Sequence, residues 1–392
     1  MNIPYADPRA PFHRKAAFDL GDVGAGIMAN NLMLGCDCLG SIYYIDAVVS
    51  DQDGNPDPRP NAVCIHEQDA GLLWKHTNYR TGRAAVVRNR ELVVQSIITV
   101  ANYEYVLAFV FNQAGDITYE VRATGIVSTQ PLDEGVSVPW GTSVHPGVLA
   151  SHHQHLFSLR IDPAIDGHSN TLVTSEAHSM PQDGFNPYGV GYTVSERTIT
   201  HSCGLDLDFD ANRTFKITNP SSRNPINGSP VAYKIQAPPF QKMLAHPASF
   251  HHKRAEFADH SIYVTRYRDG ELYAGGKYTN QSRGGHGVRA WANRRDSITG
   301  PDGKGEDIVI WVQFGLQHVV RQEDWPVMPA ETIRVTLRPC NFFDGNPALD
   351  VPPSEQSSNC SVQIQPEKHL QGQAREVDRP KEGCCNRELG AR

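Results

Sequence analysis

The sequence predicts an all-β fold: a large antiparallel β-sandwich with long hairpin arms and few helices. Three observations carry this prediction. Short runs rich in Val, Ile, Leu, Tyr and Phe recur from Leu32 to Leu337, which is the composition of strands. Turn clusters such as Asp53-Gly54-Asn55-Pro56, Asp166-Gly167 and Asp302-Gly303 separate them. No apolar pattern at i, i+3, i+4 is sustained, so helices are expected to be few.

The elements follow in order. Residues 1–20 are Pro-rich and read as irregular. Strands are expected at Ile42–Val49, Ala84–Val87, Leu92–Phe111, Ile117–Val127, Leu156–Ile161, Tyr233–Gln236, Ser261–Tyr267, Ile308–Phe314 and Ile333–Leu337. Residues 49–62 and 205–230 read as long hairpin excursions able to embrace a partner subunit. After Pro353 the chain turns polar, so 1–352 is expected to be the folded domain and 353–392 a loosely held tail.

Composition excludes some classes. The net charge is −7 and no basic run occurs, which argues against a nucleic-acid partner. Apolar stretches end after about ten residues, short of the ~20 that a membrane helix needs. No leader or peroxisomal address is visible, which leaves the compartment open. Eight cysteines are too few for a disulfide scaffold at this length. Cys36, Cys38 and Cys64 cluster early, as a disulfide, buried thiols or part of a metal site.

The histidines carry the first chemical signal. Side chains at i and i+2 of a strand share a face. His153 and His155 therefore point the same way as Phe157, Leu159 and Ile161, while His152, Gln154, Ser158 and Arg160 point the other way. His318 shares its parity with Ile308, Ile310, Val312, Phe314 and Leu316, so it too should point inward. Three neutral imidazoles with open positions suit Cu(II) or Zn(II).

The second signal is Tyr103, in the run Thr99-Val100-Ala101-Asn102-Tyr103-Glu104. An Asn beside a Tyr in an apolar strand must find polar partners or cost free energy. The run resembles the T-x-x-N-Y-[DE] signature of copper amine oxidases. Other segments match that family in order. Phe18-Asp19-Leu20-Gly21-Asp22 is similar to its F-D-x-G-[DE] segment. His153-Gln154-His155 and Phe314-Gly315-Leu316-Gln317-His318 are similar to its copper-ligand segments. Pro4-Tyr5-Ala6-Asp7-Pro8 is similar to a segment whose Tyr bonds the cofactor.

The resemblance implies a catalytic domain that deaminates primary amines with O2, releasing aldehyde, ammonia and hydrogen peroxide. It implies Cu(2+) on His153, His155 and His318, and topaquinone made from Tyr103. Asp19 would be the base, Tyr5 would hold a quinone oxygen, and Asn102 would restrict ring rotation. The Cys38 and Cys64 segments imply a Cys38–Cys64 disulfide. Asp162, Pro163, Asp307 and Ile308 would hold a second, calcium-like ion. A homodimer is implied, as are small α/β domains ahead of the sandwich that this sequence does not include. The alternatives are a truncated, non-catalytic copper-binding β-sandwich module and a zinc or copper site without quinone.

Overall fold

The computed structural model describes residues 2–3, 20, 24–239, 242–278, 282–300 and 303–363. Its contacts divide the chain into two units: residues 1–68 with 91–347, and residues 69–90 with 348–392. No helix among the described residues is long and apolar enough to cross a membrane.

The larger unit is built on antiparallel sheets. Among the described residues the largest has ten strands, in the order Tyr192–Ile199, Thr171–Ser179, Thr214–Arg223, Pro230–Gln236, Met328–Cys340, Ile117–Gly125, Tyr103–Phe111, Ala84–Val100, Pro56–Thr77 and Ile42–Ser50. A five-stranded sheet runs Asn2–Ile3, His153–Ile161, Ile308–His318, Ile262–Arg266 and Cys203–Leu205. The main core forms where Val100, Tyr103, Tyr105, Val121 and Ala123 of the first sheet meet Ile308, Ile310, Val312, Phe314 and Leu316 of the second. Alternation puts these residues on facing surfaces, as in any sandwich.

The five-stranded sheet is covered on its other face as well. Leu156, Tyr263, Val309 and Trp311 pack there against Ala255, Phe257, Ala258, Val288 and Trp291. These come from short helical turns at Phe250–Arg254, Glu256–Asp259 and Val288–Ala292. Burial on both faces explains why Ile308–His318 reads as an almost continuous apolar run.

Two expectations are corrected. Leu92–Phe111 is not one strand: Val100 pairs with Tyr103 across a two-residue loop, Ala101-Asn102, which separates Ala84–Val100 from Tyr103–Phe111. Ala101 sits at φ 54°, a left-handed conformation that costs an L-residue roughly 1–2 kcal/mol. With no Gly or Pro in the loop, Asn102 is its only turn-favouring residue, a weak signal inside so apolar a run. Residues 205–230 are not a free excursion either. Thr214–Arg223 lies within the large sheet, paired on one side with Thr171–Ser179 and on the other with Pro230–Gln236. Its polar residues hid it, as they hid Pro56–Thr77, Thr171–Ser179 and Tyr192–Ile199. The 49–62 excursion is a hairpin end as expected, with Asp51 accepting from the Asp53 and Asn55 amides at 2.9 and 2.8 Å.

In the smaller unit, Trp74 Nε1 donates to the Ala348 carbonyl at 3.0 Å, and the Ser354 amide donates to the Val86 carbonyl at 2.8 Å. The Arg88 amide donates to Ser354 Oγ at 2.9 Å. Residues 353–363, expected as the start of a loose tail, thus include a segment tied to a hairpin tip.

Candidate metal centre

The centre begins with strand register. His153 lies directly opposite His318 in the antiparallel pair of His153–Ile161 with Ile308–His318. His155 is two residues on, on the same face. The three rings converge: centroids are 4.7 Å apart for His153–His155, 4.7 Å for His153–His318 and 5.9 Å for His155–His318. One nitrogen of each ring lies within 4.8 Å of the others. Nitrogens on a shared metal at ~2.1 Å are at most about 4.2 Å apart, so a small adjustment closes the set.

Each ring is oriented by a partner on its outer nitrogen, as metal-binding histidines are. His153 Nδ1 donates to the Ser151 carbonyl at 2.9 Å. His155 Nδ1 meets the Tyr105 hydroxyl at 2.7 Å. His318 Nε2 donates to Asp324 Oδ2 at 3.1 Å. The inward nitrogens are therefore Nε2 of His153, Nε2 of His155 and Nδ1 of His318. The last two are buried with no hydrogen-bond partner. An orphaned buried acceptor is costly, and a cation with nitrogen affinity removes that cost. The donor set fits copper.

Electrostatics keep the rings available. Burial, then the His318 ring, lowers His153 to about 4. Complete burial, then His153 and His318, pushes His155 well below the usual imidazole range. Both are neutral at neutral pH, with lone pairs free. Burial alone would raise the Asp324 carboxyl, but Arg321 and the His318 ring hold it down to about 2. It therefore stays an anionic acceptor.

Tyr103 completes the cluster. It is 1 % exposed, and its hydroxyl bonds to His153 Nε2 at 3.1 Å while accepting from the Ser128 amide at 3.0 Å. Its ring stands edge-on to His155, 5.2 Å between centroids. The loop before it is pinned by its own motif. Thr99 and Glu104 are cross-strand partners, and Thr99 Oγ1 donates to Glu104 Oε2 at 2.8 Å. Asn30 Nδ2 reaches the same oxygen at 3.4 Å. Gly125 lies opposite Tyr103. At φ +105° its absent Cβ would sit 2.4 Å from the Asn102 carbonyl oxygen, so only glycine fits.

The expected residues fare differently. His153, His155, His318 and Tyr103 come together. Asn102 is exposed in the loop and contributes its carbonyl to the Ile126 amide at 2.8 Å. Tyr5 and Asp19 lie outside the described residues. Cys38 and Cys64 are buried in one cluster with Leu32 and Ile97, but as free thiols, so the expected disulfide is not formed in this structure. Asp162 pairs with Arg160 at 3.1 Å, and Asp307 Oδ1 is buried with no hydrogen-bond partner, 3.9 Å from His168 Nδ1. Sequence reasoning missed Ser128, Tyr105, Asp324 and Gly125. Tyr105 and Asp324 lie two residues after Tyr103 and six after His318, but nothing local marks them as the partners of His155 and His318.

Comparison with known proteins agrees with this geometry. The sequence model described as "Copper amine oxidase, enzyme domain" matches residues 1–358. "Copper amine oxidase 1" of Aspergillus niger is 51 % identical over 361 residues, which are 92 % of this chain and 53 % of the relative. The "Peroxisomal primary amine oxidase" of Pichia angusta is 44 % identical over 90 % of this chain and 52 % of its own length. The crystal structure of a copper-containing benzylamine oxidase from Hansenula polymorpha superposes with a TM-score of 0.86 at 50 % identity, covering 90 % of this chain and 55 % of that one. The chain spans about half the length of the curated relatives it matches.

Proposed function

This chain belongs to the copper amine oxidase family, and on that premise we propose that it oxidatively deaminates primary amines. The products are the aldehyde, ammonia and hydrogen peroxide. Primary amines are the class that relatives' names share. The observation that carries the reading is the bond from the Tyr103 hydroxyl to His153 Nε2, within the buried His153–His155–His318 cluster.

The residues divide the work. His153 Nε2, His155 Nε2 and His318 Nδ1 hold copper, oriented by Ser151, Tyr105 and Asp324. Tyr103 is the precursor of topaquinone. When bound, copper and that quinone supply an electrophilic carbonyl for the amine and an electron acceptor that O2 regenerates. Asp19 takes the proton from the carbon beside the amine nitrogen and later returns it. Tyr5 donates a hydrogen bond to a cofactor oxygen, and Asn102 limits rotation of the ring. Phe157 stacks on Phe314 at 5.4 Å and meets the ring of Tyr105, the partner of His155, edge-on at 5.6 Å, which adds apolar surface beside that tyrosine.

Three finer assignments belong to the same reading. Asp162 and Asp307, with the backbone oxygens of Pro163 and Ile308, hold a calcium ion; the orphaned Asp307 Oδ1 supports this. Cys38 and Cys64 pair under oxidising conditions; their shared burial supports this. The protein works as a homodimer. Its sheet-edge strand Ile42–Ser50 exposes Tyr43, Ile45 and Val48, and an uncovered apolar edge invites pairing.

Aerobic copper loading tests the function. The wild-type protein should gain a visible absorption band, react with phenylhydrazine and yield peroxide from a primary amine. Tyr103→Phe should do none of these while keeping its fold. A chromophore in Tyr103→Phe, or copper-loaded wild type with an unmodified Tyr103 mass, would overturn the reading.

A further inference from the structure

The loop that places Tyr103 is braced from outside its own hairpin. One edge of the Ala84–Val100 strand pairs with Tyr103–Phe111. At Ile97–Thr99 the other edge is taken by residues 28–30. Ala29 stands opposite Ile98, the Asn30 amide donates to the Ile97 carbonyl at 2.9 Å, and the Thr99 amide donates to the Met28 carbonyl at 3.1 Å. The segment is anchored again two residues on, where Leu32 is 1 % exposed. The Leu32 amide donates to the Asn61 carbonyl at 2.9 Å, and its own carbonyl accepts from Asn61 Nδ2 at 3.2 Å.

This frame delivers the Asn30 side chain to the Thr99–Glu104 pair. Asn30 Oδ1 lies 2.9 Å from Thr99 Oγ1, and Asn30 Nδ2 lies 3.4 Å from Glu104 Oε2. The Thr99 hydroxyl has one proton and two acceptors in reach, Asn30 Oδ1 and the Glu104 carboxyl. Asn30 Nδ2–H gives Glu104 the donor that the hydroxyl withdraws when it turns to Oδ1. Exchanging the ends of the amide would set its oxygen against Glu104 Oε2, so Nδ2 is the end that faces it.

The position of Tyr103 hangs on this triad. Val100–Tyr103 is the first pair of the hairpin and Thr99–Glu104 the second. Their contacts hold shut the loop in which Ala101 is strained at φ 54°. Beyond the loop, the Asn102 carbonyl accepts from the Ile126 amide at 2.8 Å. The Tyr103 hydroxyl accepts from the Ser128 amide at 3.0 Å and meets His153 Nε2 at 3.1 Å.

We propose that Asn30 is a positioning residue for Tyr103. By holding Thr99 and Glu104 together it fixes the Ala101-Asn102 loop, and so sets the Tyr103 hydroxyl against His153 Nε2. It acts through Glu104 and the loop. Its consequence for the reaction rests on the amine oxidase reading: a ring held in one place beside the three histidines is converted faster than one that wanders.

The test compares wild type with Asn30→Ala and Asn30→Asp, and with Asn31→Ala, an exposed neighbour, as control. Hydrogen exchange of the copper-free full chain is followed by mass spectrometry on peptides spanning residues 126–128, which carry the Ile126 and Ser128 amides. Asn30→Ala should speed their exchange about three- to tenfold, the worth of one hydrogen bond. Peptides of the Ile308–His318 strand should exchange as in wild type, as should every peptide of Asn31→Ala. Asn30→Asp keeps the size of the side chain and its acceptor towards Thr99, but sets a carboxyl against Glu104 in place of the donor. It should therefore loosen the loop at least as much as Asn30→Ala, whereas a residue that only filled space would be replaced without effect. On aerobic copper loading, both Asn30 variants should gain the visible band severalfold more slowly than wild type. The proposal is overturned if the 126–128 peptides exchange at the wild-type rate in Asn30→Ala, or if Asn30→Asp matches wild type. Faster exchange with an unchanged rate of band formation also overturns it. The exchange readout needs neither copper nor quinone, so a wild-type protein that gains no band sinks the amine oxidase reading and still leaves the role of Asn30 decided.

Discussion

Asp324 decides which nitrogen of His318 faces the cluster. It is 1 % exposed, accepts from His318 Nε2 and is gripped by Arg321, whose amide donates at 2.8 Å and whose Nη2 lies 2.8 Å from Oδ1. Removing the carboxylate weakens the preference for Nδ1 as the inward atom. Asp324→Asn should lower copper affinity about 10–100-fold, the usual cost of losing such a partner. Competition against a chelator measures this, and Glu323→Gln, exposed and one residue away, should leave affinity unchanged. Equal affinities for Asp324→Asn and wild type would refute the role. Much of the site was legible at this scale. The inward parity of His153, His155 and His318 follows from residue spacing alone. Their partners did not, because Asp324, Ser151 and Tyr105 become partners through side-chain contacts that no spacing rule encodes.

The loop Ala101-Asn102 and the strand beside it act as one element. Ala101 at φ 54° sets Tyr103 as the first residue of its strand, and Gly125 opposite lets the backbones close up. Strain of this kind persists only where surrounding contacts hold it. Here the Thr99–Glu104 pair and the Asn102 carbonyl bond to the Ile126 amide do so. Two glycines separate backbone strain from steric clash. Both Gly125 and Gly35 have positive φ, but a Cβ at Gly35 meets nothing within 4 Å, whereas one at Gly125 meets Asn102 O at 2.4 Å. Gly35→Ala should cost about 1 kcal/mol and Gly125→Ala roughly 1–3 kcal/mol more. Urea midpoints at unchanged slope read the difference. Similar costs for the two would mean that the close approach is not rigid.

For the molecule as a whole, the metal site is a clasp between neighbouring strands of one sheet, with Tyr103 reaching it from the other. Binding to the folded state alone raises stability by about 4 kcal/mol at a thousandfold excess over Kd. Copper should therefore raise the melting temperature of metal-free protein, and His318→Ala, which removes one ligand, should lose most of that rise in calorimetry. An equal rise in His318→Ala would place the stabilising copper elsewhere.

By itself the sequence determined the strand-rich class, the faces that strands present, and the residue types gathered for copper and quinone chemistry. These are local properties, set by a two-residue period and by the chemistry of His and Tyr. The tertiary structure decided the register that sets His153 against His318, the loop that ends one strand before Tyr103, and the polar strands that complete the ten-stranded sheet. It also set Asn30 beside the Thr99–Glu104 pair. Each depends on which distant segments pair, and pairing is chosen by burial and hydrogen bonding across the whole chain rather than by neighbours in sequence.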